Sequence, residues 1–381
     1  MHYYFFSSKS LKLNFMSKTK KEEQNNLNEE FLLIEKKQPL SFEVIPTGLK
    51  LLDAILNGGV MTRAINLITG VTGCGKSQLV LQIAKQFKEK GYTILYFDTE
   101  IAITPQRLQF FGLDLGNNLY NYTYTIEEFD KDVLDKMKIT LEKNRDKKVL
   151  LIIDSITAMK SEKVLSSAVD DNLQPGLEAK QLTILLNKLM RMISTYNITA
   201  IVTSHLKQNI VMPMQSTHGT LTDAGYRIPG GASLLYYTSQ LISLHKKQSK
   251  TLNNIELKYI QAKILKSRLS PSDKSITLIY ADKYGFFDLL SNLVFLTENN
   301  VITQSAGRYT FPFIDKKFTL KDVIHEYKTN NEFAKNLNEL IDKAIDDIII
   351  KPLREDANNN NKPQQTIENI MENIAEEEFE L

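Results

Sequence analysis

The chain has 381 residues, of which 42% are hydrophobic and 24% are charged, and its formal net charge is +2. These proportions indicate a globular protein. No apolar run reaches the roughly 18 residues that a membrane span requires, which excludes a membrane protein. A single cysteine, Cys74, excludes an internal disulfide framework and favours a reducing, cytoplasmic compartment.

The amino-terminal stretch "MHYYFFSSKSLKLNF" leaves two interpretations open. It contains no acidic residue, as in organelle-targeting peptides, but its lack of arginine argues against such a signal. Alternatively, translation starts at Met16, and residues 1–15 are not part of the protein. In either case we treat residues 1–41 as an N-terminal segment that precedes the folded core.

From about residue 42, short apolar runs alternate with segments of helical periodicity, a pattern typical of βαβ units and a mostly parallel sheet. Near-continuous apolar runs predict strands that are buried on both faces. These runs are "AINLIT", "YTILYFD", "KVLLIID", "ITAIVTS", "QLISL", "YIQAKIL" and "SITLIYA". A helix is predicted between two of them from apolar residues at spacings of three and four. They are Ile126, Phe129, Val133, Met137 and Leu141. The fold class is therefore α/β, with a core over residues 42–288.

Beyond residue 289 the pattern becomes helical, in "DLLSNLVFLTENNVI" and "FAKNLNELIDKAIDDIII", which are separated by the aromatic segment "GRYTFPFI". We expect a small helical C-terminal domain over residues 289–352 and a disordered acidic tail over 353–381. Residues 355–381 hold eight acidic side chains against one lysine, so the rest of the chain is basic. Such asymmetry suggests a nucleic-acid binder with a detachable tail, although a merely solubilising tail is the alternative.

The segment "GVTGCGKS", residues 70–77, matches the phosphate-binding loop pattern GxxxxGK[ST] between a predicted strand and a predicted helix. In this pattern the glycines expose backbone N–H groups to phosphates, the lysine contacts the β and γ oxygens, and the serine hydroxyl ligates Mg²⁺. The predicted nucleotide-binding residues are Gly70, Val71, Thr72, Gly73, Cys74, Gly75, Lys76, Ser77 and Gln78. The implied cofactors are ATP and Mg²⁺.

Polar side chains follow three of the predicted strands. Asp154 ends "VLLIID", where a carboxylate can hold the water shell of Mg²⁺. Glu100 follows "YFDT", where it can polarise an attacking water, although a solvated loop glutamate is equally consistent with the pattern. His205 follows "ITAIVTS" and can sense a γ-phosphate, although a histidine at a strand end is more often structural.

Several spaced segments together resemble the RecA family of DNA strand-exchange ATPases, from about Ile45 to about Arg308. They are "IPTGLKLLDAILNGGV", "FDTEIAITPQRLQFFGLD", "LLIIDSITAM" and "IPGGASLLYY". The resemblance implies that Lys76, Ser77 and Asp154 bind Mg-ATP and that Glu100 is the general base. It also implies that His205 replaces a glutamine that couples the γ-phosphate to DNA. Arg107 stands where the family usually has an aromatic residue over adenine, and a guanidinium can also stack on a base.

Lys266 and Arg268 follow the run "YIQAKIL". Two cations one residue apart usually mark an exposed strand edge. By the resemblance, the pair instead reaches the nucleotide of the neighbouring subunit and has a catalytic role there. A site completed by a second subunit requires an assembly, and head-to-tail contacts that do not close form a helical filament. The N-terminal segment is then expected to contact a neighbouring subunit.

Two long segments follow Asp154 and His205, where the resemblance implies DNA-binding loops. A mobile loop without a role in binding is the alternative. The candidate DNA-binding residues are Lys180, Lys207, Met212, Met214, Arg227, Gly230 and Gly231. Their cations suit phosphates and their methionines can wedge between bases.

The resemblance implies a DNA-dependent ATPase that forms filaments on single-stranded DNA and exchanges strands with a duplex, together with mediator and single-strand-binding proteins. A RecA-fold motor or accessory ATPase without strand exchange remains an alternative. An ATP-binding regulatory scaffold is a second alternative, although it would have no need of a general base at Glu100.

Overall fold

A computed structural model describes residues 41–166, 176–208, 226–229, 231–252 and 254–354. Within these ranges, no helix has both the length and the apolar character needed to cross a membrane. The described residues from Phe42 onward belong to one compact unit.

The centre of this unit is a nine-stranded sheet in which the strand before the phosphate-binding loop is the fifth from either edge. Strands β1–β13 are Val44–Ile45, Val60–Met61, Ile65–Gly70, Thr93–Asp98, Leu119–Tyr120, Val149–Asp154, Ile198–His205, Lys207–Gln208, Tyr226–Arg227, Thr238–Leu252, Ile255–Ser267, Ser275–Ala281 and Gly285–Phe287. The sheet order is β13-β12-β11-β10-β3-β7-β6-β4-β5. In this spatial order, the neighbouring strands β10, β3, β7, β6, β4 and β5 are parallel to one another. The neighbouring strands β10, β11, β12 and β13 are antiparallel.

Helices cover both faces of the sheet. Helices α1–α8 are Lys50–Ile55, Lys76–Glu89, Pro105–Phe110, Ile126–Glu128, Asp135–Lys143, Glu162–Ser166, Leu177–Thr195 and Gly231–Tyr237, and a π-helical segment, Phe129–Leu134, joins α4 to α5. Helix α4 begins with a capping box in which Thr125 and Glu128 each accept from the other's backbone N–H. Two apolar clusters result, one on each face, so the sheet is buried on both sides as the continuous apolar runs predict.

The C-terminal part adds α9 (Asp288–Glu298), β14 (Thr303–Ser305), β15 (Arg308–Phe311), β16 (Ile314–Thr319), α10 (Leu320–Thr329) and α11 (Asn331–Ile345). The expected helices are present, and the aromatic segment between them forms a three-stranded antiparallel sheet. Phe311, Phe318 and Phe333 pack between that sheet and α11, with ring centroids 5.2–5.8 Å apart. Buried residues of α11 belong to the same apolar cluster as α1 and α2.

The predicted α/β class and mostly parallel sheet are confirmed. All seven apolar runs are strands, and the predicted helix over residues 126–141 is helical, with a π-helical segment inside it. The run "QLISL" is part of a longer strand, because β10 and β11 continue as a hairpin past the sheet, where polar residues replace the apolar pattern. Residues 353 and 354, which were expected to belong to the acidic tail, are helical, and the rest of that tail, from residue 355 onward, lies outside the described residues. Residues 1–40 of the expected N-terminal segment also lie outside them.

Candidate nucleotide-binding site

The loop between β3 and α2 has a backbone that only glycine adopts without strain. Gly73 and Gly75 have φ angles of +76° and +90°. At Gly70, an added Cβ would lie 2.5 Å from the Cys74 Sγ and 2.6 Å from the Leu244 carbonyl oxygen. The loop therefore folds tightly onto the end of β3, and burial raises the pKa of the Cys74 thiol, which favours its neutral form.

The start of α2 is suited to phosphate. Its N-cap is Gly75, which has no side chain to occupy the first backbone N–H groups, and the helix dipole favours an anion there. The Lys76 ammonium curls back over the loop and donates to the carbonyl oxygens of Gly70 (3.1 Å) and Val71 (3.2 Å). Ser77 follows on the first turn of α2. These residues fit the triphosphate of ATP and its Mg²⁺.

Asp154 lies at the end of β6, opposite Asp98 at the end of β4. Its carboxylate is 4% exposed and accepts hydrogen bonds from the hydroxyls of Tyr96 (2.7 Å) and Thr203. These donors come from the strands on either side of β6, so the orientation of the carboxylate is fixed by three neighbouring strands. A fixed carboxylate beside the loop fits the predicted role as acceptor for water on Mg²⁺.

Glu100, two residues past the end of β4, meets His205, the last residue of β7. The His205 Nε2 lies 2.6 Å from the Glu100 Oε1, and the Ser155 hydroxyl donates to the same oxygen at 2.7 Å. These hydrogen bonds, chiefly that of His205, lower the pKa of Glu100 to about 2. Glu100 is therefore ionised at neutral pH, as a general base must be before it accepts a proton.

His205 also connects Glu100 to the phosphate-binding loop. Its Nδ1 lies 3.4 Å from the Lys76 ammonium, and Gly70 is its register partner on β3. Because an ammonium can only donate, Nδ1 is the acceptor of the hydrogen bond from Lys76. The hydrogen of the neutral ring is then on Nε2, which donates to Glu100. The structure thus brings three predicted residues, Glu100, His205 and Lys76, into one hydrogen-bonded chain.

Arg107 lies on α3, next to the start of α2. Its Nη2 donates to the Asp282 carbonyl oxygen at 3.2 Å, and the Gln78 side chain donates to the same oxygen at 3.3 Å. The Asp282 carboxylate accepts from the Lys258 ammonium at 2.7 Å. The structure therefore brings the predicted Gln78 and Arg107 together, around a residue that sequence reasoning missed.

Three further residues of this site, Tyr96, Ser155 and Thr203, were not predicted from the sequence. A signal existed for two of them, because Tyr96 and Thr203 carry hydroxyls within runs that predict buried strands, and both residues are fully buried. A buried hydroxyl needs a partner, and Asp154 is the carboxylate at that edge of the sheet. No comparable signal existed for Lys258 and Asp282, which lie 24 residues apart and meet only through the antiparallel register.

Lys266 and Arg268 lie away from the loop of their own chain. Lys266 pairs with Leu241, which pairs with Leu67, three residues before Gly70 on β3. The backbone of Lys266 therefore lies two strands away from β3 and about 10 Å before the level of Gly70 along the direction of β3. Its ammonium donates to the carbonyl oxygens of Leu235 (2.7 Å) and Tyr236 (3.1 Å), at the C-terminal end of α8.

The candidate DNA-binding residues divide into three groups. Lys180 is exposed in the first turn of α7. Lys207 and Arg227 are backbone partners in the short antiparallel pair β8–β9, and Gly231 begins α8. Met212, Met214 and Gly230 lie outside the described residues.

A family model described as the RecA N-terminal domain matches residues 15–284. The DNA repair and recombination protein RadB of Methanosphaera stadtmanae is 31% identical over 206 residues, which cover 53% of this chain and 81% of RadB. Protein RecA of Deinococcus radiodurans is 26% identical over 273 residues, which cover 71% of each chain. Protein RecA of Acholeplasma laidlawii is 25% identical over 274 residues, which cover 71% of this chain and 77% of that protein.

Proposed function

The chain belongs to the RecA family, and from that premise we propose that it is an ATP-dependent recombinase that polymerises on single-stranded DNA, pairs it with a homologous duplex and exchanges strands. The observation that carries the proposal is the hydrogen-bonded chain from Lys76 through His205 to Glu100. His205 ends β7, and the second predicted DNA loop follows it in the sequence. One side chain therefore contacts the phosphate-binding loop and the general base where the DNA loop begins.

The roles of the residues follow from their contacts. ATP with Mg²⁺ supplies the γ-phosphate whose hydrolysis drives release from DNA. Lys76 exchanges its two carbonyl contacts for phosphate oxygens, since these carry the charge that an ammonium prefers. Glu100 accepts the proton of the attacking water, and Asp154 orients water on the metal ion. His205 then loses or keeps its contact with Lys76 according to the occupancy of the loop, which gives it the part of a sensor.

The position of Lys266 and Arg268 favours assembly. Since the pair lies back along the strands from its own loop and two strands aside, it suits the loop of a neighbouring subunit better than its own. Such a contact joins unlike surfaces of successive subunits, and repetition without closure yields a helical filament. In that assembly Lys266 and Arg268 stabilise the charge that develops on the transferred phosphoryl group.

The DNA partners are single-stranded DNA and a duplex, held by Lys180, Lys207, Met212, Met214, Arg227, Gly230 and Gly231. We also propose a likeness to the bacteriophage recombinase UvsX, on Thr99-Glu100, Ile103-Thr104-Pro105, Ser204-His205 and Lys266-Ser267-Arg268. We include mediator and single-strand-binding proteins as partners, and the cytoplasm as the place of action. In this proposal residues 1–41 form an N-terminal segment, 42–288 the ATPase and DNA-binding core, and 289–352 a small C-terminal domain.

The test is ATP hydrolysis by the full chain with and without single-stranded DNA, alongside electron microscopy of the same mixtures. DNA-stimulated hydrolysis with helical filaments is the expected result, and strand exchange by such filaments completes the assignment. The Glu100→Gln variant should form filaments but not hydrolyse ATP, whereas Glu326→Gln, on α10 in the C-terminal part, should behave as the wild type. Stimulation with closed rings would instead indicate a motor. Filaments that never exchange strands would indicate an accessory ATPase, and ATP binding without hydrolysis a scaffold.

A further inference from the structure

The backbone carbonyl oxygen of Asp282 accepts hydrogen bonds from side chains on two helices. It accepts from Gln78, on the first turn of α2, and from Arg107, on α3. Gln78 is 3% exposed, so its amide is held inside the protein. The β12–β13 turn that contains Asp282 is thereby tied both to the helix that follows the phosphate-binding loop and to the helix that carries Arg107.

The side chain of Asp282 is held in turn by a buried lysine. Lys258 has a side chain only 10% exposed and lies 2.7 Å from the Asp282 carboxylate, whose side chain is 57% exposed. The ammonium also lies 5.8 Å from the centre of the Tyr280 ring. A buried ammonium without a partner is costly, so the lysine constrains the carboxylate and with it the turn.

The same turn packs against the phosphate-binding loop. An added Cβ at Gly75 would lie 3.0 Å from the rings of both Phe286 and Tyr280, the aromatic residues on either side of the turn. The triphosphate is held by the loop and by the start of α2. Arg107 stands where the family usually has the residue over adenine, and it lies against this turn, so the base half of a bound nucleotide is expected there.

We propose that Asp282, held by Lys258, is a positioning residue that fixes Arg107 against the base half of the nucleotide. The inference rests on the proposed ATP-binding function of the loop and deepens it. Arg107 has five N–H donors in a rigid plane, and the Asp282 carbonyl restrains that plane at one end. The restrained guanidinium can then stack on a purine without losing the conformational entropy of a free arginine.

The proposal predicts a loss of affinity confined to ligands that have a base. In Lys258→Met the aliphatic stem is kept and the ammonium is lost, and Asp282 is exposed enough to remain solvated. We expect the dissociation constant of Mg-ATP to rise about fivefold or more, since a restrained charged contact is lost. Binding of Mg²⁺ with inorganic tripolyphosphate, which has no base, should stay within about twofold of the wild type.

The experiment measures displacement of a fluorescent ATP analogue by ATP and by tripolyphosphate, in the absence of DNA. Lys258→Arg should restore ATP affinity, and Asp282→Asn, which keeps the carbonyl oxygen, should weaken ATP in the same selective way. Lys263→Met is the matched control, because Lys263 forms an ion pair with Asp273 at 3.3 Å on the same strand, nearer its other end. It should bind both ligands as the wild type does.

A double-mutant cycle decides whether the effect acts through Arg107. Lys258→Met should raise the dissociation constant of ATP about fivefold or more when Arg107 is present. In an Arg107→Ala background it should raise that constant by less than about twofold. Equal weakening of ATP and tripolyphosphate, full additivity in the cycle, or unchanged ATP affinity in both Lys258→Met and Asp282→Asn would each overturn the proposal. A chain that shows the selective loss but no DNA-stimulated hydrolysis would refute the recombinase and leave the positioning role standing.

Discussion

Replacing Lys266 by alanine should destabilise the isolated subunit as well as impair hydrolysis. The ammonium donates to the Leu235 and Tyr236 carbonyl oxygens at the end of α8. Hydrogen bonds to a charged group contribute about 1.5–3 kcal/mol, and a cation at a helix C-terminus about 0.3–1 kcal/mol. Burial, and then the nearby Arg268, lowers the pKa of Lys266, so part of this gain is offset by desolvation. We therefore expect the free energy of unfolding to fall by about 1–2 kcal/mol.

The assay is urea unfolding near pH 7 at low protein concentration, without nucleotide or DNA, so that no assembly contributes. Arg268→Ala is the matched control. Arg268 lies two residues further on, is exposed, and forms no side-chain hydrogen bond or ion pair recorded among the described residues. That variant should unfold within about 0.5 kcal/mol of the wild type. If Lys266→Ala were equally stable, the contacts with α8 would contribute nothing, and our reasoning about this helix end would be wrong.

The same variant also tests whether the site is shared between subunits. Lys266→Ala and Glu100→Gln should each abolish DNA-stimulated hydrolysis, but their equal mixture should recover part of it. If each site takes Glu100 from one subunit and Lys266 from the next, about a quarter of the sites in a random mixed filament are intact. No recovery in filaments shown to contain both variants would mean that both residues serve the same subunit's site.

Three further substitutions test the residues around the loop. Tyr96→Phe removes a buried donor to Asp154 and should lower the free energy of unfolding by about 1–2 kcal/mol in urea, with weaker Mg-ATP binding; unchanged values would mean that Thr203 alone orients the carboxylate. Glu100→Gln should cost about 1 kcal/mol at pH 7, a figure discounted for a side chain that is 34% exposed. Because the folded pKa of Glu100 is lowered from 4.5 to about 2, this stabilisation is present above pH 4.5 and is lost as the pH falls toward 2, so a difference that persisted at pH 2 would contradict the assignment. Gly75→Ala places a Cβ at a φ of +90° and 3.0 Å from two rings, and should abolish detectable ATP binding in the displacement assay, whereas Gly91→Ala, with a φ of +81° but open space, should retain it.

The strands and the nucleotide-binding edge of the sheet could be predicted because their signals are local. A strand buried on both faces reads as a continuous apolar run, and the ends of parallel strands meet at one edge, so Glu100, Asp154 and His205 could be placed near Lys76 before any coordinates were known. The pattern GxxxxGK[ST] at residues 70–77 predicted that this edge binds a nucleotide. The sheet in the C-terminal part had a weaker signal, because its strands are short and mostly exposed.

The contacts of Lys258 and Lys266 could not be predicted, since both depend on the register of antiparallel strands. Lys258 reaches Asp282 because it pairs with Tyr280, two residues away from that aspartate. Lys266 reaches α8 because β11 runs back beside β10, which begins where α8 ends. A shift of one residue would turn either side chain to the opposite face of the sheet. From the sequence alone, Lys258 and Lys266 are two of three lysines in one strand, with no sign of their partners.

Helix α8 connects the predicted DNA loop to Lys266, the residue proposed to reach the nucleotide of the neighbouring subunit. One segment runs from His205, which contacts the subunit's own phosphate-binding loop, through the predicted DNA loop to α8, whose end is held by Lys266. Lys266 is also the residue proposed to reach the neighbouring nucleotide, and its ammonium cannot make both sets of contacts at once. Moving it to the neighbour would release the end of α8, so DNA bound at the start of that helix and ATP bound in the next subunit should affect each other's affinity. Lys266→Ala should therefore weaken the dependence of DNA affinity on ATP, and an unchanged dependence would exclude this residue as the connection.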